Sequence, residues 1–177
     1  LKLHPLPNKP GPAKTFIAKP SITPTVSEVQ AQSKDRVPNL HSASHLTSSS
    51  VAVANDGRLV VAVNPDSDSV TVIGTSDLKL LGEISVGDNP RNVSITPDSN
   101  HALITDHYSA TVSVVDLATF KKIAQWTVGD MPYGIVAGSD YAFIAEFGIS
   151  SVAILELHSG EVIKRIKVNE FPAGLAL

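Results

Sequence analysis

The sequence predicts an all-β protein built from repeated four-stranded sheets, and three observations support this prediction. From Val51 onward, short β-branched runs alternate with Gly, Asn, Asp, Ser and Pro, which is typical of strands joined by tight turns. Long helical patterns are missing from the same stretch. Its motifs also recur at a nearly constant interval, which is the mark of a repeat architecture.

The repeat is clearest in a five-residue motif that closes each unit. VGDNP at 86–90 returns as VGDMP at 128–132 and, in altered form, as VNEFP at 168–172. The prolines of these motifs lie 42 and then 40 residues apart. The difference falls where VSITPDSNHALIT (93–105) is shortened to IVAGSDYAFIA (135–145), at a turn between two strands. A turn is where a structural repeat tolerates a deletion.

Each unit contains four strand-like runs, and four antiparallel strands in about 40 to 45 residues form one blade of a β-propeller. We therefore predict three full blades (51–86, 87–128 and 129–168) and the first strand of a fourth (169–177). Propellers close with four to eight blades, so the sequence predicts part of a larger propeller, expected to be seven-bladed. Trp126 is predicted to pack between two blades.

Three blades alone would leave two open sheet edges, which is an aggregation hazard. The remaining blades are therefore expected as partners, supplied by further sequence or by another chain. Residues 1–50 differ from the rest, since they hold seven of the twelve prolines. Such proline density predicts an extended arm or linker. The alternative is an ordered edge strand inside this segment, around Phe16 to Ala18.

The composition of the chain narrows the classes of function. A net charge of −3, scattered along 177 residues, and an aromatic content of 5% argue against nucleic-acid binding. Cysteine is absent, which excludes disulfides, thiolate zinc sites, Cys nucleophiles and covalent haem attachment in this stretch. No apolar run approaches the roughly 20 residues of a membrane helix, so no membrane span is expected.

The repeat units resemble the YVTN-type β-propeller repeat of bacterial and archaeal proteins. VGDNPRNVSITPDSN, ALITD and TVSVVDLAT match its pattern in the second blade, and VAVANDG matches it in the first. The third blade departs from the pattern, with GSD in place of Pro-Asp-Gly and VAILE in place of Val-Ser-Val-Ile-Asp. The resemblance implies a periplasmic, secreted or cell-surface protein. Some propellers of this type are fused to di-haem cytochrome c peroxidase-like domains.

Polar and aromatic residues are predicted to gather on one propeller face, formed by the loops before the inner strands and the loops between second and third strands. The candidate binding residues on this face are Asp88, Arg91, Asp106, His107, Tyr108, Asp130, Tyr133 and Glu146. Such a set could bind a small anion, a sugar or a peptide. The competing interpretation is that they are turn residues that serve backbone geometry.

The sequence predicts no catalytic or metal site of its own. His41 and His45 have a metal-ligand spacing for a helix, but no helical pattern surrounds them. Asp106-His107 resembles copper- or haem-facing loops of related propellers, yet the first and third blades carry Asn64 and Glu146 instead. No GxSxG, CxxCH or phosphate-loop motif is present. Haem or copper would enter only through sequence beyond this stretch.

The leading hypothesis is a non-enzymatic binding or assembly module of an envelope or secreted protein, with an envelope protein as its partner. One alternative is the propeller portion of a periplasmic redox enzyme with haem or copper. Another is a hydrolase or lactonase-type propeller with a metal in its central channel.

Overall fold

The computed structural model describes residues 48–176, and its regular structure there is almost entirely β. The strands in this part of the chain are β1 (Val51–Val53), β2 (Leu59–Asn64), β3 (Ser69–Gly74), β4 (Leu80–Ser85), β5 (Pro90–Ile95), β6 (His101–Asp106), β7 (Thr111–Asp116), β8 (Lys121–Thr127), β9 (Pro132–Ala137), β10 (Tyr141–Glu146), β11 (Ser151–Glu156) and β12 (Val162–Lys167). Two single-turn 3-10 helices cover Pro65–Ser67 and Phe147–Ile149. No helix within residues 48–176 is long and apolar enough to cross a bilayer. The predicted arm, with its alternative strand, lies outside the described residues except for 48–50.

The strands form three antiparallel sheets that follow the order of the chain. The sheets are β1-β2-β3-β4 (blade 1), β5-β6-β7-β8 (blade 2) and β9-β10-β11-β12 (blade 3). In blade 2, for example, β6 and β7 pair without interruption from His101 opposite Asp116 to Asp106 opposite Thr111. The predicted blade architecture and its antiparallel strand order are confirmed.

The turns repeat together with the strands. One left-handed residue stands at the same place in each third-to-fourth-strand turn, with φ of 54°, 54° and 73°: Leu78, Phe120 and Gly160. Another stands in each loop that leads towards an inner strand, with φ of 52°, 51° and 58°: Asn89, Met131 and Phe171. These positions define which residues of the three blades are structurally equivalent.

Each pair of neighbouring blades buries an apolar layer between its sheets. Adjacent residues of a strand point to opposite faces, so Ile104 packs against blade 1 while Leu103 packs against blade 3. The fully buried residues of the first layer include Val61, Val70, Val72, Val93 and Ile104, and those of the second include Val112, Ile135, Ile144, Ala153 and Leu155. Burying each large aliphatic side chain contributes about 1.5–3 kcal/mol, so the two layers hold the blades together.

The outward faces of blades 1 and 3 lack this cover in the described part of the chain. Val51 on blade 1 is 48% exposed, whereas the equivalent Val93 on blade 2 is fully buried. Ile166 on blade 3 is 44% exposed, whereas the equivalent Ile84 on blade 1 is 8% exposed. In a closed propeller, these are the faces that the next blades cover.

The predicted first strand of a fourth blade lies beside blade 3 but forms no regular strand. The carbonyl oxygen of Ala173 approaches Gly134 so closely that a methyl group on Gly134 would be 2.3 Å from it. The Ser48 N–H donates to the carbonyl oxygen of Leu175 (2.9 Å), and the Leu175 N–H donates to Ser48 Oγ (3.1 Å). A second strand of that blade, which would pair with this segment, is not among the described residues.

We predict that Ile144→Ala destabilises the chain by about 2–5 kcal/mol, because Ile144 is fully buried between blades 2 and 3 and its truncation leaves a cavity. Urea unfolding followed by circular dichroism measures the change. Ile163→Ala is the control, since Ile163 is 55% exposed, and it should cost less than about 1 kcal/mol. Equal losses in both variants would contradict this packing.

Candidate functional site

The upper face of the propeller is formed by two sets of loops that lie side by side. These are the loops that precede the inner strands β5 and β9, and the loops that follow β6 and β10. Backbone hydrogen bonds join them, from His107 N–H to the Asn89 carbonyl (3.1 Å) and from Phe147 N–H to the Met131 carbonyl (3.0 Å). The same bonds recur in blades 2 and 3, so the repeat itself positions the side chains of this face.

A continuous row of rings crosses this face from blade 2 to the start of the fourth blade. We call His107, Tyr133, Phe147 and Phe171 the aromatic row. The ring centroids of His107 and Tyr133 are 5.8 Å apart in an edge-on arrangement, and those of Phe147 and Phe171 are 4.9 Å apart. Tyr133 and Phe147, in the middle, are separated by 6.2 Å. Aromatic pairs at these distances stabilise one another, so the row is a preformed apolar surface.

Arg91 and Asn89 leave polar atoms without partners next to this row. The Arg91 guanidinium lies over the ring of Tyr133, 5.8 Å from its centroid. Its Nε is buried and has no hydrogen-bond partner, and the same holds for Asn89 Oδ1. Buried polar atoms are normally paired, so an open donor and an open acceptor beside an aromatic surface indicate a place for a ligand.

The other candidate residues divide into exposed and buried groups. Asp88 and Asp130 are exposed on the upper face, and Tyr108 is 61% exposed with its ring 5.2 Å from that of His107. Asp106 and Glu146 are fully buried instead. The structure therefore brings Arg91, His107, Tyr108 and Tyr133 together on the upper face, where Tyr108 is exposed and His107 is buried. Asp88 and Asp130 lie in the same loops, and Asp106 and Glu146 lie beneath them.

Asp106 holds the loop that connects blade 1 to blade 2. Its Oδ1 accepts the N–H of Gly87 (3.0 Å), and its Oδ2 accepts the hydroxyls of Thr111 (2.8 Å) and Ser113 (2.7 Å). A methyl group on Gly87 would come within 2.5 Å of the carboxyl group, which explains the glycine in VGDNP. Burial raises the pKa of Asp106, although the hydrogen bonds from Ser113, Thr111 and Gly87 oppose this effect.

Glu146 does the same for the connection into blade 3. It accepts the N–H of Gly129 (2.7 Å) and the hydroxyl of Ser151, and it forms an ion pair with Arg165 (3.0 Å). In blade 1 the equivalent residue is neutral, since Asn64 donates from Nδ2 to two hydroxyls on β3. These three residues form a repeated polar anchor, and its carboxylates are occupied by bonds within the fold.

Sequence reasoning missed Phe147 and Phe171 as members of the upper face. The signal was in the repeat, because Phe147 is equivalent to His107 and Phe171 is equivalent to Met131. Among residues 48–176, no group of three or more His, Asp or Glu side chains is close enough to hold a metal ion. His107 Nδ1 lies 3.2 Å from the carbonyl oxygen of Pro132, a contact within the fold.

Comparison with known proteins places this fold in a family. The family model described as "Lactonase, 7-bladed beta-propeller" matches residues 22–133, more than half of the chain. This chain belongs to the lactonase-type seven-bladed β-propeller family. The match to this lactonase-type family begins within the predicted arm, at residues that lie outside the described part of the structure.

Individual relatives of this lactonase-type propeller agree with the fold. A seven-bladed β-propeller protein of Mycobacterium tuberculosis is 23% identical over an alignment of 129 residues, which covers 69% of this chain and 33% of that protein. Hydrazine synthase of Kuenenia stuttgartiensis superposes with a TM-score of 0.65 at 24% identity, over 77% of this chain and 40% of that one. Apo AztD of Citrobacter koseri gives 0.61 at 12% identity, over 79% and 40%. The chain thus spans about a third of its curated relative.

We predict that Asp106→Ala destabilises the protein by about 1–3 kcal/mol, because the buried N–H of Gly87 would lose its acceptor. Asp106→Asn should restore most of that loss, since Asn64 occupies the equivalent position in blade 1. Chemical denaturation of both variants measures the difference. If Asp106→Asn lowers the unfolding free energy as much as Asp106→Ala does, the hydrogen bonds assigned to this position do not stabilise the protein.

Asp106 should also make stability depend on pH. Because burial raises its pKa in the folded state, the native protein binds more protons than the unfolded chain between the ordinary aspartate pKa and the raised one. Within that window the unfolding free energy should fall as pH rises, and above it the change should level off. Asp106→Asn should lack this component, so the stability of the wild type minus that of the variant should decline from acidic towards neutral pH. A difference that rises with pH would reverse the assignment.

Proposed function

We propose that this chain is a non-enzymatic binding module, a section of a seven-bladed propeller whose upper face receives part of a partner protein. The observation that carries the proposal is the pair of unpartnered buried atoms, Arg91 Nε and Asn89 Oδ1. An open cationic donor favours an anion, and hydrogen bonds to charged groups are stronger than neutral ones. The open amide oxygen of Asn89, two residues before Arg91 in the chain, favours an N–H donor.

The aromatic row sets a third requirement for the ligand, which is that it carries an apolar or planar group. Tyr133 of this row lies under the Arg91 guanidinium, and Phe147 lies next to Tyr133. A peptide that ends in an aromatic residue meets all three needs at once. Its terminal carboxylate would pair with Arg91, its amide N–H would donate to Asn89, and its ring would pack on Tyr133. Capture of a chain terminus is one of the established modes of peptide recognition.

The finer assignments belong to the same proposal. The motifs VGDNPRNVSITPDSN and TVSVVDLAT support membership of the YVTN-type repeat, and that resemblance supports a periplasmic, secreted or cell-surface location with an envelope protein as the partner. Fractionation of cells that produce the natural protein checks this location. Recovery from the cytoplasm alone would contradict it.

The test uses a matched pair of small probes with the intact protein. N-acetyl-phenylalanine carries the carboxylate, the amide N–H and the ring, while N-acetyl-phenylalaninamide lacks the charge. Isothermal titration calorimetry should show the acid binding on the order of 10-fold more tightly than the amide, because a charge-assisted hydrogen bond is worth about 1.5–3 kcal/mol.

Arg91→Met should abolish this preference for the acid. Arg58→Met is the matched control, since the Arg58 side chain is 80% exposed and pairs with Asp56 away from the upper face. Circular dichroism confirms that each variant is folded. Equal affinity for the two probes, or no saturable heat with either, would refute the proposed site.

A further inference from the structure

The junction of blades 2 and 3 contains a cleft on the lower face, at the opposite ends of the strands from the aromatic row. It has a volume of about 560 Å³ and opens among the turns before β6 and β10. That volume is within the range of pockets that bind small molecules, roughly 300–1,000 Å³. Blade 2 contributes Leu103 and Ile123 to its walls, and blade 3 contributes Tyr141 and Leu157. The two packed blades therefore form the cleft between them.

The two blade junctions are packed differently at one repeat position. At the junction of blades 1 and 2, Phe120 packs against Gly82 of β4, where a methyl group would lie 3.6 Å from Phe120 Cβ. At the junction of blades 2 and 3, the equivalent residue is Gly160, and the indole of Trp126 lies directly on it. This agrees with the predicted position of Trp126 between two blades. The same indole lines the cleft, which therefore offers an aromatic surface.

The lining of the cleft is apolar inside and acidic at its rim. Leu103 and Val114 belong to the lining and are only 1% and 3% exposed. Asp98 and Asp140 are exposed at the rim, and Glu156 is half-buried there. The lining contains no Lys or Arg, so no cationic side chain within the cleft balances the three carboxylates.

The repeat supplies such a cation at the other junction. One rim position is equivalent in all three blades, because its carbonyl oxygen accepts the N–H of the residue that follows the third strand: Arg58, Asn100 and Asp140. In blade 1, Arg58 forms an ion pair with Asp56 (2.7 Å). In blade 2, Asp98 takes the place of Asp56 but accepts from the neutral Asn100 Nδ2 (2.9 Å). In blade 3, the position of the arginine is itself an acid.

The charge of Asp98 is stabilised by its own turn. The hydroxyl of Thr96 donates to it (2.6 Å) and lowers its pKa, and the hydrogen bonds from Asn100 act in the same direction against a small effect of burial. Among residues 48–176, no three His, Asp or Glu side chains are grouped closely enough to hold a metal ion. The dispersed carboxylates around an apolar interior suit a larger, organic cation.

We infer that this cleft binds a small organic cation, in the form of a primary ammonium group carried on an apolar ring. The ring would be buried beside Leu103 and Trp126, which removes apolar surface from water. The ammonium group would face Asp98 and Asp140, and an indole next to a cation adds to the attraction. The cleft and the aromatic row lie on opposite faces, so this inference does not rest on the function proposed above.

Trp126 is the only tryptophan of the chain, so its fluorescence reports on the cleft directly. The probes are 2-phenylethylamine and 2-phenylethanol, which share the ring and differ in charge. With the full chain, the amine should change Trp126 emission in a saturable manner and bind at least about fivefold more tightly than the alcohol, because the carboxylates and the indole both attract a cation. Added salt should weaken the binding of the amine and leave that of the alcohol unchanged.

Ile123→Lys brings a positive charge into the cleft and should weaken binding of the amine at least about threefold. Ile163→Lys is the matched control, since Ile163 occupies the equivalent position of β12, is 55% exposed where Ile123 is 56% exposed, and lies outside the cleft lining. Far-UV circular dichroism verifies that both variants are folded.

Three results would overturn the inference. These are equal affinity for the amine and the alcohol, no saturable change of Trp126 emission with the amine, and binding of the amine by Ile123→Lys as tight as by Ile163→Lys. None of these results bears on the probes for Arg91.

Discussion

The whole structure depends on the fact that a single blade cannot bury its own surface. Every sheet here is apolar on both sides, so one strand sends Ile104 towards the preceding blade and Leu103 towards the following one. A four-stranded sheet with two apolar faces is stable only between two neighbours, and this requirement makes the fold a ring. The exposed Val51 and Ile166 mark the two faces where this requirement is not met within the described residues.

The connections between blades obey a second constraint, which is electrostatic. In each connection, the backbone lies close against the end of the second strand. The N–H of the connecting residue therefore needs a hydrogen-bond acceptor within the fold. Asp106 and Glu146 meet this need with different chemistry, and Asn64 at the equivalent position of blade 1 donates to two hydroxyls of β3. Glu146 lacks the second hydroxyl that Ser113 gives to Asp106, because Ala153 stands there, and the ion pair with Arg165 takes its place. The repeat can therefore vary in sequence while its backbone stays the same.

A repeat also provides its own internal control for detecting sites. Where equivalent residues serve only the fold, they vary within one physical type, as the aliphatic residues of the two layers do. Arg91 and Gly160 break that rule. Arg91 brings an unpaired buried donor to the inner strand, and Gly160 removes a side chain that the neighbouring junction uses for packing. Arg91 Nε makes no hydrogen bond within the described blades, whereas the missing side chain at Gly160 is matched by Trp126, which packs directly on it.

The sequence by itself determined the blades, because side-chain alternation along a strand, turn residues and repeat spacing are local properties of the chain. The antiparallel sheets follow from these local patterns. The glycine of VGDNP, in contrast, is required by a tertiary contact, because a side chain on Gly87 would collide with the carboxyl group of Asp106. Only the tertiary structure decided which candidate residues reach the surface. Asp106 and Glu146 are indistinguishable in sequence from exposed loop carboxylates, since each is buried against a connection between blades, at Gly87 and Gly129. Likewise, the aromatic row joins residues of different blades, so Phe147 and Phe171 acquire a common role only when the blades are placed side by side.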